Sequence, residues 1–271
     1  MLDLETGRLL EVAEDAARGA GKKLASIFDH GKLSVKRKYD YVGSIVTNGD
    51  IAAERVILER IRRSGIKSTV VSEEKGRIDF GSEDVIWAVD PLDGTLNFAK
   101  HIPYFAVSIG VRQRGRTVVG VVYNPLLDEM FTAERGRGAC MNGRRVNVSG
   151  ATALRNASLI FEWWDPEPSI PDPLELEKRI YRFTSNVRSP GSIALNLCSV
   201  ACGRFDGLIT VFPRSPIHEP LAGAILIEEA GGRVTNSLGE SWENLSRSII
   251  GAGPRLQPKL LKFIRSSRLA R

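Results

Sequence analysis

Residues 85–98 read VIWAVDPLDGTLNF, an apolar strand that leaves the core and delivers Asp90 and Asp93 into an exit containing proline and glycine. Pro91 fixes its own φ and has no N–H to satisfy, which suits a sharp departure from a strand. Gly94 lets the backbone come close to a ligand. A helix starting at Gly94-Thr95 would aim its free N–H groups at whatever lies over the two carboxylates, a geometry that suits phosphate.

Two aspartates this close repel each other when buried without a counter-charge. A hard divalent cation is the economical remedy, since Mg²⁺ takes carboxylate, carbonyl, water and phosphate oxygens. The run VVSEEKG brings Glu73 and Glu74 to the end of another strand. Taken alone, a D-x-x-D turn reads as helix capping or loop decoration. With Glu73 at a second strand end, where α/β folds form their ligand sites, the metal reading prevails.

The rest of the chain alternates helices and strands. Residues 4–28 form an amphipathic helix with Leu9, Ala13, Ala16, Ala20, Leu24 and Ile27 on one face. A second helix spans Asp50 to Ser64 and stops at Gly65. Strands at Thr69–Ser72 and Val85–Val89 precede an antiparallel meander from Phe105 to Ala133, and GRGACMNGRRVNVS closes the first half as a hairpin. In the second half a strand (SLIFEWW) leads through a Pro-rich loop to a helix from about Leu174. A helix from Ser192 to Cys202, the strand GLITVF and a helix ending at Gly231-Gly232 follow. This order predicts layered α/β architecture over 271 residues, divided near residue 150 into halves 1–150 and 151–271.

Composition removes several function classes. No apolar run approaches the ~20 residues that cross a bilayer. The acidic, amphipathic start has no basic region followed by an apolar stretch, so a cytoplasmic location and no membrane partner are expected. Three cysteines, Cys140, Cys198 and Cys202, read as reduced core thiols, and three histidines are too few for a His-rich zinc site. The net charge of +6 invites nucleic acid as a partner, but the basic residues are scattered among acids and lack interleaved aromatics. Nucleic acid is therefore not expected, whereas an anionic phosphate ester is. There is no P-loop, no G-x-S-x-G elbow and no complete G-x-G-x-x-G fingerprint.

In one order the chain carries VTNGD (46–50), VSEEKG (71–76), WAVDPLDGTLNF (87–98), GRGACMNGRRVNVS (136–149), RSPGSIALNLCSVACGRFDG (188–207) and EPLAGAILIEEAGG (219–232). With these motifs it resembles the inositol monophosphatase family, Mg²⁺-dependent and lithium-sensitive phosphomonoesterases related to fructose-1,6-bisphosphatases. The resemblance implies an αβαβα sandwich, a homodimer, and two or three Mg²⁺ ions per site. It implies that Glu73, Asp90 and the Leu92 carbonyl bind a first metal, and that Asp90, Asp93 and Glu219 bind a second. It further implies that Asp50 and Thr95 activate water, with Glu73 sharing in catalysis. The amides of Gly94 and Thr95 would receive phosphate, and Gly191, Ser192 and Ile193 would face the alcohol of a small sugar or polyol phosphate.

The sequence also departs from the family pattern. Its last motif opens His218-Glu219 where the family has Trp-Asp, so Glu219 supplies a longer carboxylate. The inositol-recognising glutamate has no clear counterpart, because the two possible counts reach Thr210 or Phe212. Inositol monophosphate and fructose 1,6-bisphosphate both stay open as substrates. So do a 3′(2′),5′-bisphosphate nucleotidase-like activity and a weakly catalytic regulatory or RNA-binding role. Trp163-Trp164-Asp165 could line a substrate pocket or a dimer contact, although two tryptophans at a strand end more often pack in the core. Cys198 and Cys202, one helical turn apart among apolar residues, read as core packing. His218 could touch substrate or phosphate or have no role, and Arg188 and Arg214 could bind a second phosphate.

Overall fold

The computed structural model describes residues 2–38, 45–163, 173–184, 186–211, 220–244 and 248–266. Helix α1 (Leu2–His30) and a short antiparallel pair, β1 (Val35–Arg37) and β2 (Ile45–Thr47), precede α2 (Asn48–Arg63). Next come β3 (Thr69–Ser72), β4 (Gly76–Asp79), β5 (Val85–Asp93), the short helix α3 (Thr95–Ala99), β6 (Ala106–Gln113), β7 (Arg116–Asn124), β8 (Glu129–Glu134), β9 (Gly138–Met141) and β10 (Arg144–Arg145). The second half holds β11 (Leu159–Trp163), α4 (Pro173–Tyr181), β12 (Val187–Arg188), α5 (Ile193–Ala201), β13 (Gly207–Val211), α6 (Leu221–Glu229), β14 (Arg233–Thr235), β15 (Ser248–Ala252) and α7 (Gln257–Arg265).

Eight strands form one sheet in the order β10-β9-β8-β7-β6-β5-β3-β4, and five form another in the order β12-β11-β13-β15-β14. Three apolar clusters account for the layering. Leu9, Ala13, Ala16, Ala20 and Leu24 of α1, with Ala53, Ile57 and Ile61 of α2, pack on one face of the large sheet. α5 and α6 fill the space between the two sheets. Leu176 and Ile180 of α4, with Leu260, Phe263 and Ile264 of α7, cover the outer face of the small sheet. The stack is therefore αβαβα, the architecture expected from the sequence.

Because the large sheet is covered on both sides, β6 and β7 read as nearly continuous apolar runs. Their two glycines, Gly110 and Gly120, pair directly across the strands. A Cβ at Gly110 would lie 2.6 Å from the Leu221 side chain, and one at Gly120 would lie 2.5 Å from the Ala222 carbonyl oxygen. The glycine pair is thus a shallow seat for the start of α6, the helix that begins two residues after Glu219. On the opposite side, Thr47 caps α2: its hydroxyl accepts the Gly49 N–H at 3.0 Å, while Asp50 accepts the Thr47 N–H at 2.7 Å. Gly65, at φ +69°, follows the helix where the sequence puts its stop.

A backbone carbonyl cannot rotate away as a side chain can. Gly120→Ala should therefore lower stability by about 2–3 kcal/mol, in the range of core overpacking, read as a drop in the urea midpoint with unchanged slope. Gly136, at the β8–β9 turn, has open space around it, but its φ of +78° makes it an unsuitable control. Gly150→Ala meets no neighbour and should shift the midpoint little.

Candidate active site

β5 does not turn away at Pro91. It runs on to Asp93 with a bulge: Asp90 pairs with Ser108 and Asp93 with Ala106, leaving one extra residue on β5. Pro91, which has no N–H, sits in that interruption. The bulge sends Asp90 and Asp93 to different surroundings. The Leu92 N–H donates to Asp90 Oδ1 at 3.0 Å. The Asp93 carboxylate instead accepts the Ser192 hydroxyl, the Ile193 N–H at 3.1 Å and the Ala194 N–H at 2.9 Å. It thereby caps α5 from a distant part of the chain, where helix N-terminal amides favour an anion. Burial pushes Asp93 well above the usual carboxylate range, against the pull of Ser192 and the Ala194 amide, and nearby Glu162 pushes it further.

β3 lies parallel to β5 with Ser72 opposite Val89, and the Glu73 N–H donates to the Val89 carbonyl at 3.1 Å. Glu73 and Asp90 therefore stand side by side just past the C-terminal end of the parallel pairing between β3 and β5, the kind of place where α/β sheets bind ligands. The Lys38 ammonium lies 2.8 Å from Glu73 Oε1 and 2.7 Å from Glu74 Oε1. Burial works against that ammonium, but the two glutamates outweigh it and hold Lys38 above the ordinary lysine range.

Asp50 comes from the first turn of α2 and is 1% exposed. Its Oδ2 accepts the Thr47 hydroxyl at 2.6 Å, and its Oδ1 accepts the Thr95 hydroxyl at 3.1 Å. Thr95 is also 2.9 Å from the Leu92 carbonyl, so its proton serves either oxygen. Burial lifts Asp50 to about 6, against the Thr47 bonds, and the charge of Glu73 adds to the rise.

Gly94 precedes α3 at φ +89°, and a Cβ there would lie 2.9 Å from the Tyr104 carbonyl oxygen. Only glycine fits this close approach. α3 has five residues, from Thr95 to Ala99. The Asn97 amide donates to the carbonyls of Tyr104 and Pro190, both at 2.8 Å, and so ties the turn to the loop before α5. In that loop Gly191 keeps partial exposure, whereas Ser192 and Ile193 are buried and support Asp93 from behind. The Gly191 N–H donates to Glu162 Oε1 at 2.5 Å.

The structure thus brings Asp50, Glu73, Asp90, Leu92, Asp93, Gly94, Thr95 and the Gly191–Ile193 segment to one region. Glu219 lies outside the described residues, as do Trp164, Asp165, Phe212, Arg214 and His218. Trp163 packs against the outer core cluster, and Cys198 and Cys202 belong to the central one. Arg188 sits on β12, at the edge of the small sheet. Sequence reasoning missed Lys38, Glu54, Asn97 and Glu162 as neighbours of the site. A polar residue in an apolar helix face or strand was the available signal for Glu54 and Glu162.

Among the described residues, no three acidic, histidine or cysteine side chains converge tightly enough to enclose a metal ion as they stand. The donor chemistry nevertheless fits Mg²⁺: the carboxylates of Glu73 and Asp90 on neighbouring strands, the Leu92 carbonyl in the same bulge as Asp90, and a lysine ammonium already drawn to Glu73. No described helix is long and apolar enough to cross a membrane.

The profile of the inositol monophosphatase family matches residues 5–269. "Nus factor SuhB" of Escherichia coli (strain K12) is 38% identical over 261 residues, which cover 95% of this chain and 96% of that protein. The extragenic suppressor protein suhB from Bartonella henselae superposes with a TM-score of 0.88 at 33% identity, covering 96% of this chain and 99% of its own. Inositol monophosphatase from Anabaena (Nostoc) sp. PCC 7120 superposes with a TM-score of 0.83 at 33% identity, over 98% of both chains. The likeness to a protein named a Nus factor removes support from the expectation that nucleic acid is no partner.

The raised Asp50 yields a stability prediction. The fold holds this proton more tightly than the unfolded chain, so stability falls as pH rises from about 4 to about 6 and stays lower above. Asp50→Asn keeps the capping acceptor without the buried charge. It should match the parent near pH 4 and exceed it by up to about 3 kcal/mol at pH 7, measured by urea denaturation in EDTA.

Proposed function

The chain belongs to the inositol monophosphatase family, and on that footing we propose that it is a Mg²⁺-dependent phosphatase that hydrolyses a small sugar or polyol phosphomonoester. The observation that carries this reading is the meeting of Glu73, from β3, with the Asp90-Pro91-Leu92-Asp93 bulge of β5, flanked by Asp50 and Thr95. Glu73, Asp90 and the Leu92 carbonyl would hold one ion; Asp90, Asp93 and Glu219 would hold a second. When bound, Mg²⁺ supplies Lewis acidity, neutralising charge on the phosphoryl oxygens and making water a stronger nucleophile.

The protein's own groups have distinct tasks. The Thr95 hydroxyl orients the attacking water and relays a proton, taking one from the water as it gives its own to Asp50 Oδ1, 3.1 Å away. Gly94 and Thr95 present backbone amides to phosphate, with no Cβ at Gly94 to block its approach. Gly191 borders the alcohol side, while Ser192 and Ile193 act there through the loop they stabilise. Residues 1–150 carry most of the donors, and residues 151–271 complete the site. Inositol monophosphate and fructose 1,6-bisphosphate are the first substrates to test. A cytoplasmic homodimer is part of the same proposal.

A second reading is a weakly catalytic, regulatory relative that binds RNA. It is favoured by the likeness to proteins named Nus factor SuhB and by the net charge of +6. Its mark would be RNA binding that weakens steeply with salt and needs no Mg²⁺.

The two readings separate in one set of assays. The chain should release phosphate from sugar phosphates only with Mg²⁺, and Asp90→Asn should lower kcat/KM by more than about a hundredfold, beyond the loss of an outer partner. Turnover equal to that of Asp90→Asn across the panel would refute the phosphatase. Preference for a 3′-phosphoadenosine nucleotide would move the activity to the nucleotidase branch. Salt-sensitive RNA retention without phosphate release would establish the regulatory reading instead.

A further inference from the structure

The buried face of α2 runs Asp50, Ala53, Glu54, Ile57, Ile61. A carboxylate in so apolar a row is costly unless its oxygens are occupied. Glu54 is 1% exposed, and its Oε1 accepts the Ser72 hydroxyl at 2.5 Å and the Lys75 N–H at 3.0 Å. Its Oε2 lies 3.7 Å from the Lys75 ammonium, whose side chain is half exposed. Ser72 ends β3, and Lys75 is the last residue before β4. These two partners bracket Glu73 and Glu74, so a single side chain fastens the turn on both sides of the two acids.

The other acid on this face performs the matching task. One helical turn earlier, Asp50 meets Thr95, directly after the Asp90–Asp93 bulge. Four helical residues advance about 6 Å along the axis. α2 therefore sets the spacing between the segment carrying Glu73 and the segment carrying Asp90, with one carboxylate for each.

We infer that Glu54 is a positioning residue: it holds the Ser72–Lys75 turn so that Glu73 faces the same space as Asp90. This inference rests on the metal-dependent reading proposed above. It requires length and an acceptor oxygen from Glu54, not its charge, and two substitutions separate these. Glu54→Asp keeps the charge and withdraws the oxygen by one methylene. Glu54→Gln keeps length and acceptor and removes the charge.

The test is Mn²⁺ binding to the full chain, followed by the electron paramagnetic resonance of the free ion. It is run at a temperature where circular dichroism shows every variant folded. Glu54→Gln should bind within about threefold of the parent, and Glu54→Asp should bind about tenfold more weakly, the scale of a lost outer partner. Parent-like affinity in Glu54→Asp overturns the inference. Equal weakening in both variants also overturns it, because charge would then be the operative property. Should Glu54→Asp fail to fold, Ser72→Ala decides: weakening of about threefold supports the inference, and unchanged affinity refutes it. If the parent itself takes up no Mn²⁺, the metal reading has failed and this inference falls with it, a result distinct from any variant effect.

Discussion

The Asp93 carboxylate is the joint on which the molecule turns. It stands at the end of a strand in the large sheet, yet its partners are the Ser192 hydroxyl and the first amides of α5, in the layer between the sheets. Helix N-termini leave donors unpaired, and a buried donor without an acceptor costs about 1–3 kcal/mol. At α5 the Asp93 carboxylate takes the Ile193 and Ala194 amides and the Ser192 hydroxyl takes the Leu195 amide, while these donors stabilise the carboxylate. The end of β5 is thus fastened to the start of α5 at the point where the chemistry is expected.

The same economy recurs around it. Asp50 closes the capping box of α2 with one oxygen and meets Thr95 with the other. Asn97 binds the carbonyls on either side of the Gly94 approach. Asp50, Asp93 and Asn97 are thus held by partners within the fold itself. The cost appears in the raised affinities of Asp50 and Asp93 for protons, which burial imposes and hydrogen bonds only partly offset.

Much of this was legible in the sequence because the relevant signals are local. The apolar steps of α1, the β6–β8 meander and the helix from Ile193 to Ala201 follow from periodicity and turn residues, and the structure has them. The strand end at Asp90 was harder to read. Proline and glycine suggest a turn, but a bulge uses the same residues while the strand continues to Asp93. The roles of Ser192 and Ile193 were not legible either. A motif marks them as near the site, whereas only packing reveals that they are buried behind Asp93. Glu54 and Glu162 were missed because a lone acid in an apolar row carries no label for its partner, which here is backbone from another segment.

Charge balance ties these observations to the proposed chemistry. The chain as a whole is basic, yet Asp50, Glu73, Glu74, Asp90 and Asp93 gather in one partly buried region. Lys38 meets the two glutamates, which stand outermost, and one ammonium can offset one of those two charges. Asp50, whose proton affinity rises partly through Glu73, feels what is left. Protonation of Asp50 relieves part of that excess only below about pH 6, and added lysines would fill the space that the proposed phosphate would enter. A small divalent ion relieves it at neutral pH and leaves that space open, which is why the acids that organise the fold are also those best placed to hold magnesium.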